Sequence, residues 1–318
     1  MKIGITCAGW AFMEDLLKEL KTHHTVSIFK GPFRGPQRFS RIEDFMRKQD
    51  VLYVEFCSGN METIGKVPKH CKIVCRLHRA EVHGRWMAKV DVKNIDLLIL
   101  VNKFMKDYCF KYQPRLRQVK KIKVIQLGVN IDKFNYNPLR GYGKRIGWVG
   151  FIKELKKPDL ILSIMPQLPD WQLRMLAVPS VYKHVTRRVE ESARKQRNVV
   201  WIKNRIPHDK MPGYYNKLDA FVNTSTIESQ CVSVLEAMSC GVYSLIRSWP
   251  HPQCHPEQIY PRKNLFTDMQ ECKRKIWSWV KLSFDEKKAI SREMRRFVVK
   301  RHNIKDNVRR MREAIETV

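Results

Sequence analysis

Apolar residues along this chain fall in short runs, and most of the stretches between them carry amphipathic, helix-like patterning. In the first half the runs are KIGIT (2–6), VSIF (26–29), VLYVEF (51–56), KIVCRLH (72–78), LLILV (97–101) and KIKVIQLG (121–128). Helical patterning between them is clearest in AFMEDLLKELK (11–21) and KFMKDYCFKY (103–112). A stretch rich in Asn, Gly and Pro, NIDKFNYNPLRGYGK (130–144), reads as a hinge. A second series follows: RIGWVGF (145–151), WQLRMLAV (171–178), NVVWIK (198–203), AFVNTS (220–225) and YSLIRS (243–248). The remaining tail reads as basic helices. Strands alternating with helices predict parallel sheets covered on both faces, an α/β fold of two doubly wound, Rossmann-like units. The expected domains are 1–137, 138–300 and a closing helix 301–318 that crosses back onto the first domain or extends an anion-binding surface. Ligands of such sheets bind at the C-terminal ends of the strands, so a cleft between the two sheets is the expected site.

Charge sharpens this picture. Lys and Arg number 61 against 31 Asp and Glu, a net charge of +30. The excess is spread over both halves, with 26 basic and 13 acidic residues in 1–137 and 35 and 18 in 138–318. Such a balance predicts attraction to nucleic acid or an anionic membrane surface. A hydrophobic content of 43% excludes a disordered chain. Nine cysteines without framework spacing predict reduced thiols in a cytoplasmic protein. The start, MKIGITCAGWAFMEDLLKEL, develops no apolar signal region, and no window is long and apolar enough for a membrane span.

The stretch TSTIESQCVSVLEAMSCG, Thr224 to Gly241, stands out because a small, apolar helix keeps two carboxylates, Glu228 and Glu236. The helix is expected to start near Ser229 or Gln230. Glu228 then lies just before its positive end, and Glu236 lies two turns in, beside the inward stripe. A buried carboxylate needs donors, and the diol of a sugar or ribose supplies two. The N–H groups of Ser229, Gln230, Cys231 and Val232 at the helix start suit a diphosphate. The plainer alternative leaves Glu228 as a cap and turns Glu236 to water.

This segment resembles the Glu-seven-residues-Glu signature of retaining glycosyltransferases of GT-B architecture, especially glycosyltransferase family 4. Both glutamates, the Ala237-Met238 pair and Gly241 match. GWVGFIKELKKPDLIL (147–162), which contains Gly150, resembles the family's first nucleotide-binding strand, loop and helix, with Lys156 at its basic position. RIPHDKMPGYYNKLDAFVNTS (205–225) and VIQLGVNIDKFNYNP (124–138) match in order. The resemblance implies that Glu236 binds the ribose, Glu228 the hydroxyls of the donated sugar, and Lys156 with Lys153 the departing diphosphate. It also implies transfer with retention and without an essential metal, with no cofactor beyond the nucleotide-sugar co-substrate, for which UDP-glucose is expected. Phe151 stands where the family has an Arg, Cys231 where it has a small Gly, and RSWPHPQCHPEQIYP replaces its Gly-Gly loop. His78, at the end of KIVCRLH, would line the cleft near the transferred sugar and act in catalysis with Glu228. Gly9, in the first strand–helix turn, would bring backbone near the diphosphate.

For the acceptor, KGPFRGPQRFSR (30–41) mixes cations, rings and breakers. Arg34, Arg38, Phe39 and Arg41, with Phe33, are candidates to stack a base and grip phosphates. Arg79, Arg85 and Trp86 in RAEVHGRW join them, and Glu81 there is a candidate to face an incoming hydroxyl, an exposed loop Glu being the plainer reading. Solvated basic loops with packed rings are the plain alternative. The spread of charge favours a long polyanion, DNA bearing hydroxymethylated pyrimidines, over an anionic membrane lipid or cell-surface glycan. GT-B enzymes that glucosylate viral DNA show that the architecture permits this; a base in a duplex would be flipped outward. A non-catalytic nucleic-acid-binding module is the rival class, which two carboxylates at one site disfavour. A zinc centre at Cys240, His251, Cys254 and His255 fits no standard spacing, so no metal is expected.

Overall fold

The computed structural model describes every residue except Ala8, Ala11, Pro32, Phe33, Arg34, Pro36 and Ser180. The chain forms two compact units, residues 1–128 with 304–318, and residues 129–303. The division therefore falls at 128 and 303 rather than at 137 and 300. The stretch after Gly128 is tied into the second unit. The Arg295 guanidinium donates to the carbonyls of Ile131 (2.9 Å) and Phe134 (2.7 Å), and the Ser239 hydroxyl donates to Phe134 as well (2.6 Å).

In the first unit six parallel strands, β1 (Lys2–Cys7), β2 (Thr25–Ile28), β3 (Val51–Glu55), β4 (Lys72–Leu77), β5 (Leu97–Leu100) and β6 (Lys121–Val124), lie in the order β2-β1-β3-β4-β5-β6. The helices are α1 (Glu14–His23), α2 (Arg38–Met46), α3 (Gly59–Ile64), α4 (Arg79–Val82) and α5 (Phe104–Tyr112). The central strand β3, VLYVE, is buried at every position, so its one charge must be neutralised within the protein.

The second unit holds β7 (Arg145–Phe151), β8 (Gln172–Val178), β9 (Val199–Ile202), β10 (Ala220–Asn223), β11 (Tyr243–Arg247) and β12 (Leu265–Phe266). Their order is β12-β11-β10-β7-β8-β9, again all parallel. Its helices are α6 (Pro158–Ile164), α7 (Lys183–Arg194), α8 (Met211–Tyr215), α9 (Val232–Ser239), α10 (Met269–Lys281) and α11 (Phe284–Arg301). The two-residue strand β12 is too short to leave a pattern in the sequence. Trp148, Trp171 and Trp279 fill the core beneath this sheet.

The last helix, α12 (Ile304–Glu316), packs in the first unit. Met311, Ala314 and Ile315 enter the core of Ile3, Ile5, Leu16 and Leu20. Arg312 pairs with Glu19 of α1 at 2.9 Å, and His24 pairs with Glu316 at 2.9 Å.

Strand order reverses between β1 and β3 in one sheet and between β7 and β10 in the other. Connections there diverge to opposite faces and leave a crevice at the strand C-termini, the general ligand position in doubly wound sheets. Among the described residues no helix is long and apolar enough to cross a membrane.

Candidate active site

At the β7–β10 crevice two loops are stitched together. The Trp148 indole donates to the Thr224 hydroxyl (2.9 Å), which donates to the Lys156 carbonyl (2.8 Å). The Thr226 amide donates to the Leu155 carbonyl at 2.8 Å. Lys157 takes a left-handed conformation (φ 44°, ψ 53°), and Pro158 then opens α6. A non-glycine residue held in that region marks a loop over-determined by its surroundings. The outcome brings Lys156 against Glu228: the ammonium is bonded to Oε1, to which the Ser225 hydroxyl also donates at 2.8 Å. The cation and the carboxylate singled out in the sequence thus form one ion pair.

Glu236 is buried, with 7% of its surface exposed, so the reading that turns it to water is excluded. Its Oε1 lies 2.8 Å from His208 Nε2, and its Oε2 accepts from the Tyr215 hydroxyl at 2.9 Å. His208 Nδ1 is 3.1 Å from the Lys133 ammonium. An ammonium only donates, so Nδ1 is the accepting nitrogen and Nε2–H donates to Glu236. Burial and the Glu236 charge push the Tyr215 phenol well above its ordinary pKa, so it stays a donor. His208 and Tyr215 were not among the residues singled out from sequence.

Helix α9 starts at Val232, later than expected, which leaves Ser229, Gln230 and Cys231 in the loop before it and puts Glu236 just over one turn in. That loop is held by Tyr260, whose hydroxyl accepts from the Cys231 amide (2.8 Å) and lies 3.2 Å from the Cys231 carbonyl. Burial raises the Cys231 thiol, keeping it neutral. Gly150, at the end of β7, lines a mostly apolar cavity of about 220 Å³ with Val149, Phe151, Leu176, Arg205 and Met211. Lys153 is exposed, its ammonium 5.7 Å from the Phe151 ring centre.

The first unit carries a second polar cluster at the ends of β3 and β4. Strand register sets Glu55 opposite Arg76. The Arg76 Nε donates to both Glu55 oxygens (3.0 and 2.9 Å), the Tyr53 hydroxyl donates to Oε2, and His78 Nε2 lies 3.0 Å from Oε1. Burial works against the Glu55 charge, yet Arg76 and the His78 bond outweigh it and hold the carboxyl below its ordinary pKa. Burial lowers the His78 pKa, so the ring is neutral near pH 7. The ring packs against Phe12 (5.4 Å) and Phe56 (4.7 Å), whose own ring centres are 6.2 Å apart. Phe56 has φ of 67°, a conformation costly for an aromatic residue. Gly9 lies in the turn after β1, its amide 3.3 Å from the Cys7 sulfur.

Glu81 departs from its expected place. Instead of facing an incoming hydroxyl it is buried, accepting from the His78 amide at 2.7 Å, and burial pushes its carboxyl up to about 8. Arg79 opens α4 and is half-buried. Arg38, Phe39, Arg85 and Trp86 come together around one cavity of about 710 Å³. Arg41 does not join them. It lies three residues after Arg38 on α2 and lines a separate cavity with Phe29, Lys30, Phe45 and Lys48. Phe33 and Arg34 lie outside the described residues. Among the described residues no group of three or more His, Cys, Asp or Glu is gathered to hold a metal, and Cys240 and Cys254 are buried apart from any such cluster.

Two doubly wound parallel sheets, the second with a carboxylate and a cation at its switch point, define the class: an α/β protein of GT-B fold. Residues 143–259 match the family described as glycosyl transferases group 1. Among solved structures, Anabaena HepE, determined with UDP and glucose, aligns at TM-score 0.77 and 15% identity over 100% of both chains. Sucrose-phosphate synthase from Thermosynechococcus elongatus aligns at 0.71 and 14% over 100% of this chain and 98% of that one. A trehalose-6-phosphate synthase, studied for glycosyl transfer with retention, aligns at 0.74 and 9% over 100% and 99%. No curated protein sequence matches the chain. The chain is a glycosyltransferase of GT-B fold: the fold rests on these structures, the activity on the group 1 match.

Proposed function

We propose that the protein transfers a hexose, with retention, from a UDP-sugar such as UDP-glucose to a hydroxyl of a polyanionic acceptor, with DNA bearing 5-hydroxymethylated pyrimidines the favoured one. The observation that carries the donor half is the buried Glu236, held by His208 and Tyr215 beside the switch point of a sheet that also presents the Lys156–Glu228 pair. Glu236 accepts the ribose hydroxyls with lone pairs left over from His208 and Tyr215. The apolar cavity at Gly150 is sized for a nucleobase, with Arg205 at its wall. Lys156 turns from Glu228 to the diphosphate, with Lys153 in support, and Glu228 then takes sugar hydroxyls. HepE, determined with UDP and glucose, supports this choice of donor, and the trehalose-6-phosphate synthase supports retention.

In the reaction, the bond from the sugar's anomeric carbon to the β-phosphate oxygen breaks, and a bond from that carbon to the acceptor oxygen forms on the same face. The acceptor proton passes to the departing diphosphate. Charge builds on that diphosphate, and a fixed cation stabilises it. No carboxylate nucleophile is required. His78, neutral and packed against Phe12 and Phe56, is the residue we assign to orienting the transferred sugar or the acceptor. Nine free cysteines fit a reducing, cytoplasmic setting.

The test offers radiolabelled UDP-glucose with hydroxymethylated DNA, plain DNA and an anionic lipid extract. Label in hydroxymethylated DNA alone is expected; label only in lipid overturns the acceptor, and no turnover of any nucleotide sugar overturns the donor.

A further inference from the structure

The cavity of about 710 Å³ in the first unit is lined by four cations, Arg38, Lys66, Arg85 and Lys89, against one carboxylate, Glu62. Glu62 is shared by Lys66 (3.1 Å) and Lys89 (3.7 Å). Arg38 lies over the Phe39 ring, 4.2 Å from its centre, and its guanidinium donates to the Gly35 carbonyl at 3.1 Å. Like charges gathered in one concave space raise its potential, and an entering anion relieves it. Two rings stand among the cations. Trp86 is anchored by its indole N–H to the Cys57 carbonyl at 3.2 Å, and Gly84 leaves the room its ring occupies, since a Cβ there would overlap the indole. Among the described residues the rest of the lining is Ser58, Gly59 and Thr63, with no aliphatic residue to receive an acyl chain.

We propose that this cavity is a nucleotide subsite, in which Arg85, Lys89 and Arg38 hold phosphates of a nucleic-acid strand and Trp86 with Phe39 stacks an adjoining base. The proposal rests on the polyanionic-acceptor reading above and gives it a seat. Lys66 and Lys89 were not among the residues singled out from sequence, and they are what turns two basic loops into a charged cavity. A base stacked on a ring contributes about 1–3 kcal/mol, and each phosphate contact on a single strand adds about 0.7 to the slope of log K against log salt.

The test measures fluorescence anisotropy of a short labelled single-stranded oligonucleotide with the full chain, across a salt series. Arg85→Ala/Lys89→Ala is expected to bind at least tenfold more weakly, with the salt slope reduced by about 1.4. Lys195→Ala/Arg197→Ala, which removes as much charge from exposed positions of the other unit, is the control and is expected to change affinity less than twofold. Gly84→Ala, which displaces the indole without altering charge, is expected to weaken binding about fivefold with the slope retained. Equal losses in the cavity and control variants overturn the proposal. So does displacement of the oligonucleotide by phosphatidylglycerol vesicles, but not phosphatidylcholine vesicles, with the same dependence on Arg85 and Lys89, which assigns the cavity to a lipid headgroup. UDP binding to the unsubstituted chain is measured separately, so failure of the donor reading and failure of this one are told apart.

Discussion

At the scale of single residues, Glu236 shows how a site is built from an otherwise costly burial. Its charge is held by a hydroxyl and an imidazole N–H, and hydrogen bonds to a charged acceptor contribute about 1.5–3 kcal/mol each. Glu236→Gln is therefore expected to raise the KM for the nucleotide sugar about tenfold or more, with a smaller effect on kcat. His208→Ala removes the donor to Oε1 and should raise KM in the same direction, whereas Glu228→Gln should act mainly on kcat; steady-state kinetics with varied donor separates the two. Glu81 gives a pH signature of folding. Its carboxyl titrates at about 8 in the folded chain against an ordinary value of 4.5, so the folded state binds the extra proton. Its contribution is fully present below about 4.5 and is lost as pH rises towards 8. Glu81→Gln keeps an acceptor for the His78 amide but removes the titration. The fall in Tm from pH 5 to pH 8 is expected to be smaller in the variant, and an unchanged fall would refute the assignment.

At the scale of elements, short helices and strained turns aim the site. Gly241 lies in the turn just after α9; its φ of 74° favours glycine, and its amide donates to the Met238 carbonyl at 2.9 Å. A Cβ at 241 would also overlap the Tyr136 ring. Gly241→Ala is expected to cost more than about 1 kcal/mol and to lower Tm, read by thermal unfolding. Among the described residues, the two left-handed non-glycine ones, Phe56 and Lys157, sit beside the two polar clusters, one against His78 and one next to Lys156. Apart from β12, the strands were readable to within a few residues because each lies in a short run rich in apolar residues. RIGWVGF, for instance, is β7 in full. The start of α9 was less legible: nothing in ESQC marks the helix as beginning at Val232, because Tyr260, nearly thirty residues on, holds the preceding loop.

At the scale of the molecule, the first unit is completed by a helix from the far end of the chain. Removing residues 304–318 would uncover Ile3, Ile5 and Leu16 and leave the α1 face without Met311 and Ile315. Burying such a side chain stabilises by about 1.5–3 kcal/mol, so the truncated chain is expected to lose the first unit's unfolding transition while the second unit's persists, as seen by calorimetry and limited proteolysis. Intact resistance of residues 1–128 in that truncation would show that α12 is dispensable to the core.

What the sequence determined alone is what local pattern and composition encode: two series of apolar strands, a large and evenly spread positive charge, and one small, apolar turn-and-helix segment carrying two carboxylates. Tertiary structure decided the rest, because the partners of those groups are remote in the chain. Glu55 is neutralised by Arg76 through strand register, a pairing visible beforehand only as charges at matching places in VLYVE and KIVCR. Glu236 meets His208 and Tyr215 across 28 and 21 residues. Arg41, three residues along α2 from Arg38, lines a different cavity, while Arg38 lines one with Trp86. A charge reads as exposed until folding shows which donors surround it.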